Sequence, residues 1–433
     1  MSDQTSLWRR ILTWAQAHAT VKNVATLLTG TVVSQVATLI LSIPLARLYS
    51  PAEYGGLALY QAVVALIATI AALRYDITVM LPKSWSEARV VKSLATLCII
   101  IVSVVSTILA CVLAGRVGSA FHSSTLTWWL PTVGLSIFLT AETTNLQYWL
   151  NRSDRYKAIA INRMVASVMT VLCQLALAMI TRTASGLILG SILGLAIAYA
   201  AAIWQARDLL SKPAGEYPTM RQMARRYRKM PLMNGPNTLV DSLRVNGISF
   251  LIARVAMEAL GQFNLAWRIT QAPVGLLTSA IGQVYLREFS QTARGQLYPV
   301  TKRALTRLAL VGFPVMAVFA VIAPWIVPFV FGSAWAEAGY ISQALTPWLL
   351  VVVVTSPLSY IYVVTETQGR LLILAVVLCG SSLVWLWLTP LSLLPSIWVL
   401  SGIMTVLLLV MIIMAVLTVK KYDRSAPSAD EVA

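Results

Sequence analysis

Charged residues are scarce in this sequence of 433 residues. Only 11% of them are Asp, Glu, Lys or Arg, whereas soluble domains carry about 25%. Hydrophobic residues make up 58% of the chain. This composition excludes an ordinary soluble domain and predicts an all-α polytopic membrane protein.

Acidic residues are the scarcest charged class. There are 16 of them against 33 basic residues, which gives a formal net charge of +17. Nucleic-acid binding would need a contiguous basic face on a water-soluble domain, but here the basic residues lie between apolar runs. We therefore expect no nucleic-acid partner.

Residues for covalent or metal chemistry are also few. The four cysteines, Cys98, Cys111, Cys173 and Cys379, lie inside apolar segments without close spacing, which disfavours disulfides and metal clusters. The two histidines, His18 and His122, are far apart. No nucleophile elbow, phosphate-binding glycine loop or haem motif is present. We expect no cofactor, no metal and no enzymatic activity, which leaves a secondary transporter or flippase.

Twelve apolar stretches are long enough to be transmembrane helices, since crossing the ~30 Å hydrocarbon layer takes ~20 residues. Several contain prolines, which membrane helices tolerate and which allow bending. The predicted spans are 24–46, 56–80, 94–113, 128–150, 158–180, 186–204, 231–251, 263–286, 308–331, 340–364, 371–388 and 394–419.

The positions of the basic residues predict the orientation, because cytoplasmic loops accumulate Lys and Arg. Most of the 33 fall on one side if both termini are cytoplasmic. The longest connection is on this side and divides the spans into six plus six. The predicted units are an interfacial amphipathic helix at 1–20, an N-terminal bundle at 21–206, a basic cytoplasmic linker at 207–230, a C-terminal bundle at 231–419 and a cytoplasmic tail at 420–433.

A weak internal sequence repeat supports the division of the chain into halves. Gly55-Gly56 before LALY resembles Gly261 before LAWR, at an offset of 206 to 208 residues. Each half holds an even number of spans, so both enter the membrane in the same direction. We expect two six-helix bundles that face each other across a central cavity.

Polar residues inside spans are candidate site residues, because charge in a bilayer is costly unless it faces water or a partner. Guanidinium groups bind phosphate oxygens bidentately, so arginines among amides favour a cavity for a phosphorylated ligand. At helical spacing, Asn234, Asn237, Asp241 and Arg244 form one polar stripe and Asn264, Arg268, Gln271 and Gly275 form another. The predicted substrate-binding residues are Arg74, Arg244, Arg268, Asn237, Gln271, Gln35 and Asn264.

The acids within the spans, Asp76, Asp241 and Glu142, have two interpretations. They could bind a driving H⁺ or Na⁺, or they could only pair with nearby charge. Asp241 lies three positions before Arg244, and Asp76 lies two positions after Arg74. The spacing does not decide between coupling and pairing.

Five stretches resemble the polysaccharide-biosynthesis flippases of the multidrug/oligosaccharidyl-lipid/polysaccharide exporter superfamily. They keep the expected order relative to the twelve spans. They are LARLYSPAEYGGLALYQ from Leu45, LRYDITVMLPKS from Leu73, QYWLNRSDRYKAIAINR from Gln147, GQFNLAWRITQAPVGLLTSAIGQV from Gly261 and FGSAWAEAGYISQALTP from Phe331.

The resemblance implies a MATE-like V of two bundles that opens alternately to each side. It implies movement of an undecaprenyl-pyrophosphate-linked oligosaccharide, such as an O-antigen or exopolysaccharide unit, from the cytoplasmic to the periplasmic leaflet of a bacterial inner membrane. Candidate protein partners are then a polysaccharide polymerase and its chain-length machinery. Arg74, Asp76 and Arg268 lie inside the matching stretches.

Two other functions stay open at this point. A cation-coupled multidrug exporter of the same superfamily would favour an acidic or aromatic cavity, whereas here three arginines face three acids. A membrane glycan polymerase or ligase would need substantial outer loops, and the predicted outer loops are short.

Overall fold

The computed structural model describes residues 33–121, 123–210, 217–292, 295–365 and 367–424. These residues form helices joined by short turns, and they contain no strand. The predicted interfacial helix at 1–20, with His18, lies outside the described residues. So do His122 and residues 425–433 of the predicted tail.

Twelve long helices in the described part of the chain form the predicted pair of six-helix bundles, so the expected fold class is confirmed. Short helices α3, α5 and α9 lie between them. The helices are α1 (Val33–Leu48), α2 (Pro51–Ala71), α3 (Tyr75–Thr78), α4 (Trp85–Ala120), α5 (Ser124–Trp129), α6 (Val133–Arg152), α7 (Tyr156–Ala178), α8 (Ala184–Gln205), α9 (Met220–Arg226), α10 (Gly235–Ala253), α11 (Met257–Gln291), α12 (Leu297–Phe331), α13 (Ala336–Val364), α14 (Gln368–Leu388) and α15 (Leu393–Arg424).

Seven stretches of the described chain are long and apolar enough to cross a membrane on length and composition alone. Helices α10 and α11, which carry the two predicted polar stripes, are not among them. We call the side that bears the connection 207–230 the linker side, and the other the far side.

Local sequence signals fix several helix ends. Ser50 caps α2 by accepting a hydrogen bond from the Glu53 backbone N–H, and Pro51 occupies the first turn, where its missing N–H costs nothing. The Glu53 carboxylate accepts a hydrogen bond from the backbone N–H of Ala184. It thereby ties α2 to the first residue of α8 on the far side.

The predicted second span, 56–80, is not one helix. Helix α2 ends at Ala71, and Leu73 and Arg74 adopt left-handed φ angles of 47° and 62°. This conformation costs a non-glycine residue roughly 1–2 kcal/mol. Arg74 therefore lies in a strained break before α3 rather than inside a continuous span, which corrects the prediction.

The polar stripe predicted for the seventh span is also interrupted. Residues Met230–Asn234 form a π-helical turn before α10 begins at Gly235. Asn234 therefore does not share the register of Asp241 and Arg244. The cause is local, since Pro231 and Pro236 lack the N–H groups that a regular α-helix would use here.

The apolar core divides toward the linker side. The largest cluster contains residues of both bundles, such as Tyr54 and Trp335. A second cluster, around Trp149, belongs to the N-terminal bundle and α9, and a third, around Phe289, belongs to the C-terminal bundle. The bundles are thus joined by one core and have separate cores near the linker side.

Candidate functional site

The two bundles meet closely on the far side. The Arg47 guanidinium donates hydrogen bonds to the carbonyls of Val330 at 2.9 Å and Phe329 at 3.0 Å. The Trp335 indole N–H donates to the Ala46 carbonyl at 2.8 Å. Each bond joins residues from opposite halves, so the space between the bundles is closed toward this side.

Helices α1, α2, α10 and α11 line the space between the bundles. The polar side chains there fall into three chambers. We name each chamber after its arginine: the Arg268, Arg244 and Arg74 chambers.

The Arg268 chamber lies between α1 and α7 of one bundle and α11 of the other. Its volume is about 230 Å³, and its polar lining is Ser34, Gln35, Thr38, Ser167, Arg268 and Gln271. Within the described part of the chain, no carboxylate forms an ion pair with Arg268. A hydrogen bond of 2.6 Å between the Oγ atoms of Ser34 and Ser167 holds α1 against α7. The chamber therefore combines one positive charge with neutral hydrogen-bonding groups.

Gln35 and Gln271 face each other's helix in this chamber. A Cβ atom at Gly275 would lie 3.3 Å from the Gln35 amide nitrogen, so the side chain of Gln35 reaches the α11 backbone. The Gln35 carbonyl oxygen is buried and has no hydrogen-bond partner among the described residues. A buried acceptor of this kind costs about 1–3 kcal/mol unless a ligand or water satisfies it.

The Arg244 chamber lies where α2, α10 and α13 meet α11. Its volume is about 180 Å³. Arg244 donates to Asp241 through Nη2 at 2.8 Å and through Nε at 3.3 Å, so the alternative of simple charge pairing applies to these two residues. The polar and aromatic lining is Gln61, Arg244, Asn246, Ser249, Phe263, Asn264, Trp267 and Trp348.

The Arg74 chamber lies at the break between α2 and α3 and borders the Arg244 chamber along α2, since Ala65 lines both. Its volume is about 300 Å³. Arg74 and Asp76 form no ion pair, and one carboxylate oxygen of Asp76, a residue 7% exposed, is buried without a hydrogen-bond partner among the described residues. The strained break places both charged groups on this chamber. Thr69, Thr140, Thr144 and Tyr148 complete its polar lining.

Glu142 lies outside the three chambers, in the core of the N-terminal bundle. The residue is 2% exposed, and its carboxylate accepts a hydrogen bond from the Lys92 ammonium at 2.6 Å. Thr96 and Asn145 also donate to it, at 3.0 and 3.1 Å. Of the two interpretations of Glu142, the structure supplies the partner that charge pairing requires.

The structure thus brings the predicted residues together in part. Gln35, Arg268 and Gln271 share one chamber, Arg244 and Asn264 a second, and Arg74 and Asp76 a third. The backbone of Asn237 lies in α10, but its side chain is not among those described. The predicted single chamber with three arginines is therefore three smaller ones.

Several lining residues were missed by sequence reasoning. Gln61 and Trp267 lie inside stretches that carry the family resemblance but belong to neither of the two predicted polar stripes. Asn246 lies two positions after Arg244 and falls outside its stripe. Tyr148 also lies inside such a stretch, whereas Ser167 carried no signal beyond polarity. The described residues contain no group of His, Cys, Asp or Glu arranged to hold a metal ion.

Comparison with known families gives one assignment. The sequence model of a family described as "Polysaccharide biosynthesis protein" matches residues 44–339, which is more than half of the chain. The chain belongs to this family. Comparison with proteins of curated function gives no match.

Solved structures with a similar fold include the lipid II flippase MurJ in an inward closed conformation. Its TM-score is 0.71, with 15% identity over 91% of this chain and 89% of that one. A multidrug resistance MATE family transporter of the MOP superfamily is similar in an inward-facing conformation, with a TM-score of 0.61 and 15% identity over 93% and 96% of the chains. An outward-facing structure of such a transporter gives 0.58. These likenesses establish a MATE-like fold for this multi-pass membrane protein.

Proposed function

We propose that this member of the polysaccharide biosynthesis family is a flippase for an undecaprenyl-pyrophosphate-linked oligosaccharide. It would move an O-antigen or exopolysaccharide unit across a bacterial inner membrane, from the cytoplasmic to the periplasmic leaflet. The linker side and both termini would then be cytoplasmic, in agreement with the distribution of Lys and Arg.

The Arg268 chamber is the observation that carries this proposal. A guanidinium without a carboxylate partner, placed between two bundles among neutral hydroxyl and amide groups, is suited to the two phosphates of the lipid carrier. Arg74 adds positive charge along the same route, whereas the charge of Arg244 is paired with that of Asp241. A charge with no counter-ion is costly within a membrane span, so a function that supplies an anionic ligand explains the presence of Arg268, which is exposed on the lining of this chamber.

The proposed mechanism is alternating access without covalent catalysis. The head group enters from the linker side, where each bundle has its own core, while the lipid tail stays in the bilayer. The far-side contacts of Arg47 and Trp335 with the opposite half would break as the bundles rock. The ligand is then released on the far side.

Coupling to an ion is part of the proposal. Asp76 is the best candidate to bind H⁺ or Na⁺, because its buried oxygen lacks a partner and faces a chamber. Asp241 forms an ion pair with Arg244, and Glu142 forms one with Lys92. A polysaccharide polymerase and chain-length machinery remain the proposed protein partners.

The test is the leaflet location of the lipid-linked glycan in cells that lack the gene. A membrane-impermeant glycan-cleaving enzyme is added to spheroplasts, and the cleaved fraction is measured. We expect the glycan to be protected in deleted cells and cleaved after wild-type protein is restored. Unchanged cleavage in deleted cells would contradict the proposed function and favour another substrate.

The site is tested in the same cells with Arg74→Ala, Arg244→Ala and Arg268→Ala, alone and combined. We expect the triple variant to leave the glycan protected and lysine variants to restore cleavage only in part, since lysine lacks the bidentate geometry. Arg116→Ala is the matched control, because Arg116 is exposed on α4 and lines none of the three chambers. Full cleavage with the triple variant would overturn the site.

The multidrug alternative rests on the MATE-like fold. Export of a cationic dye by the purified and reconstituted protein, with no movement of the lipid-linked glycan, would favour that function over ours. Glycan extension or transfer by the protein in detergent would instead favour a polymerase or ligase.

A further inference from the structure

The Arg268 and Arg244 chambers line a single face of α11. At about 100° per residue, positions 264, 267, 268 and 271 fall within an arc of about 100°. Asn264 and Trp267 line the Arg244 chamber, whereas Arg268 and Gln271 line the Arg268 chamber. One ligand lying across this face would contact both chambers.

The two chambers differ in available charge. Asp241 neutralises Arg244 at 2.8 Å, whereas Arg268 has no such partner among the described carboxylates. A diphosphate would be bound more strongly where the positive charge is not already paired. The Arg244 chamber is therefore suited to an uncharged group.

The lining of the Arg244 chamber has the chemistry that recognises a sugar. The amides of Gln61 and Asn264 each offer donors and an acceptor, and a sugar hydroxyl both donates and accepts. The amide nitrogen of Asn246 donates to Ser242, so this residue offers its carbonyl oxygen. Trp267 adds a flat apolar surface for the C–H face of a pyranose ring. Its indole lies 5.1 Å from that of Trp348 and 5.9 Å from the ring of Phe263, so neighbouring rings pack against it.

The size of the Arg244 chamber also fits. Its volume of about 180 Å³ is on the scale of one sugar ring. We infer that the Arg244 chamber binds the sugar joined directly to the diphosphate, while the Arg268 chamber binds the diphosphate. This inference rests on the proposed function and assigns its two chemical parts to two places.

The test measures two dissociation constants for each variant in nanodiscs. The probes are undecaprenyl diphosphate and undecaprenyl diphosphate that carries a single N-acetylhexosamine. For Asn264→Ala and Trp267→Leu, we expect about tenfold weaker binding of the glycosylated probe, the factor that corresponds to ~1.4 kcal/mol, and unchanged binding of the bare diphosphate. For Arg268→Ala, we expect weaker binding of both.

The ratio of the two constants separates recognition from misfolding, since a misfolded variant would lose both probes. Gln61→Ala changes the same chamber from α2 and should shift the ratio in the same direction without touching the aromatic cluster. An unchanged ratio in the Asn264, Trp267 and Gln61 variants overturns the inference. If the wild-type protein binds neither probe, the proposed function itself fails.

Discussion

Gly55 and Gly261 meet where α2 crosses α11, and each leaves room for the backbone of the other helix. A Cβ atom at Gly55 would overlap the Met257 carbonyl, and one at Gly261 would overlap the Pro51 carbonyl. Pro51 and Met257 each lie four residues before their own glycine, so the contact is reciprocal. It joins the two halves near the far side.

This contact explains the weak internal sequence repeat. The repeat aligns Gly55-Gly56 with Gly261 across the two halves, and the structure places these positions against each other. Reciprocal contact between equivalent positions is what an axis relating the two halves produces. Small residues let the helix backbones approach closely, so the far-side closure depends on them.

Alanine at either glycine should open the far side. We expect Gly55→Ala and Gly261→Ala to push α2 and α11 apart, lengthen the distance between spin labels at Ala52→Cys and Ala334→Cys, and lower glycan export. The measurement is electron spin resonance of the reconstituted protein with its four native cysteines replaced. Both labelled positions are exposed and lie in opposite halves.

Gly115→Ala is the matched control, because no atom lies within 4 Å of a Cβ at that position. It should change neither the spin-label distance nor export. If the Gly55 and Gly261 variants keep the wild-type distance, the closure does not depend on this crossing.

The sequence predicted the spans better than the side-chain partners. The predicted third span begins at residue 94 and leaves Lys92 outside it, but α4 begins at Trp85 and carries Lys92 into the bundle. The signal for the earlier start was present, because Ser84 followed by Glu87 matches a helix N-cap and Ser84 does accept the Glu87 N–H. The span was predicted to begin only after the charged residues, so this helix start was missed.

The three chambers could not be derived from periodicity. A helical stripe identifies residues that share a face, as for Asn264, Arg268 and Gln271, but not the neighbouring helix that each one meets. The break after Ala71 was equally hidden, because Leu73 and Arg74 favour helix locally and no glycine marks the turn. Both the division into three chambers and the break after Ala71 depend on tertiary contacts, which a local sequence pattern does not encode.

The Lys92–Glu142 pair should be structural. Removing one partner leaves an uncompensated buried charge, so Lys92→Met or Glu142→Gln should each lower stability by roughly 3–5 kcal/mol. The double variant should regain most of this loss, because no charge remains buried. The measurement is a double-mutant cycle of unfolding in detergent, with export assayed beside it.

The rate of glycan export distinguishes the two roles of Glu142, charge pairing and ion coupling. If the pair is only structural, the Lys92→Met/Glu142→Gln variant will export glycan at close to the wild-type rate. A stable double variant without export would instead identify Glu142 as a coupling residue.

Asp76→Asn should remove the response to an ion gradient. The buried oxygen of Asp76 without a partner is the proposed ion-binding group, and asparagine keeps its shape but not its charge. We expect flipping in proteoliposomes to lose its stimulation by an imposed proton or sodium gradient. Asp154→Asn, the same change at an exposed position, should retain the stimulation. Equal stimulation of both variants would exclude Asp76 as the coupling site.

The left-handed backbone between α2 and α3 should lower the stability of the protein, and it should also hold Arg74 in position beside its chamber. Glycine adopts positive φ without the clash that Leu73 has, and Leu73 is 43% exposed, so little burial is lost on substitution. Leu73→Gly should therefore stabilise the protein by up to ~1 kcal/mol. Ala72→Gly, one position earlier at φ −81°, should destabilise it by roughly 0.4–1 kcal/mol, because glycine adds freedom to the unfolded chain where the native φ needs none. Thermal unfolding of both variants in one detergent measures the contrast. If Leu73→Gly melts below the wild type, the strain inferred at this break is absent. If it melts higher but exports less, rigid placement of Arg74 beside its chamber is the property that the strained backbone provides.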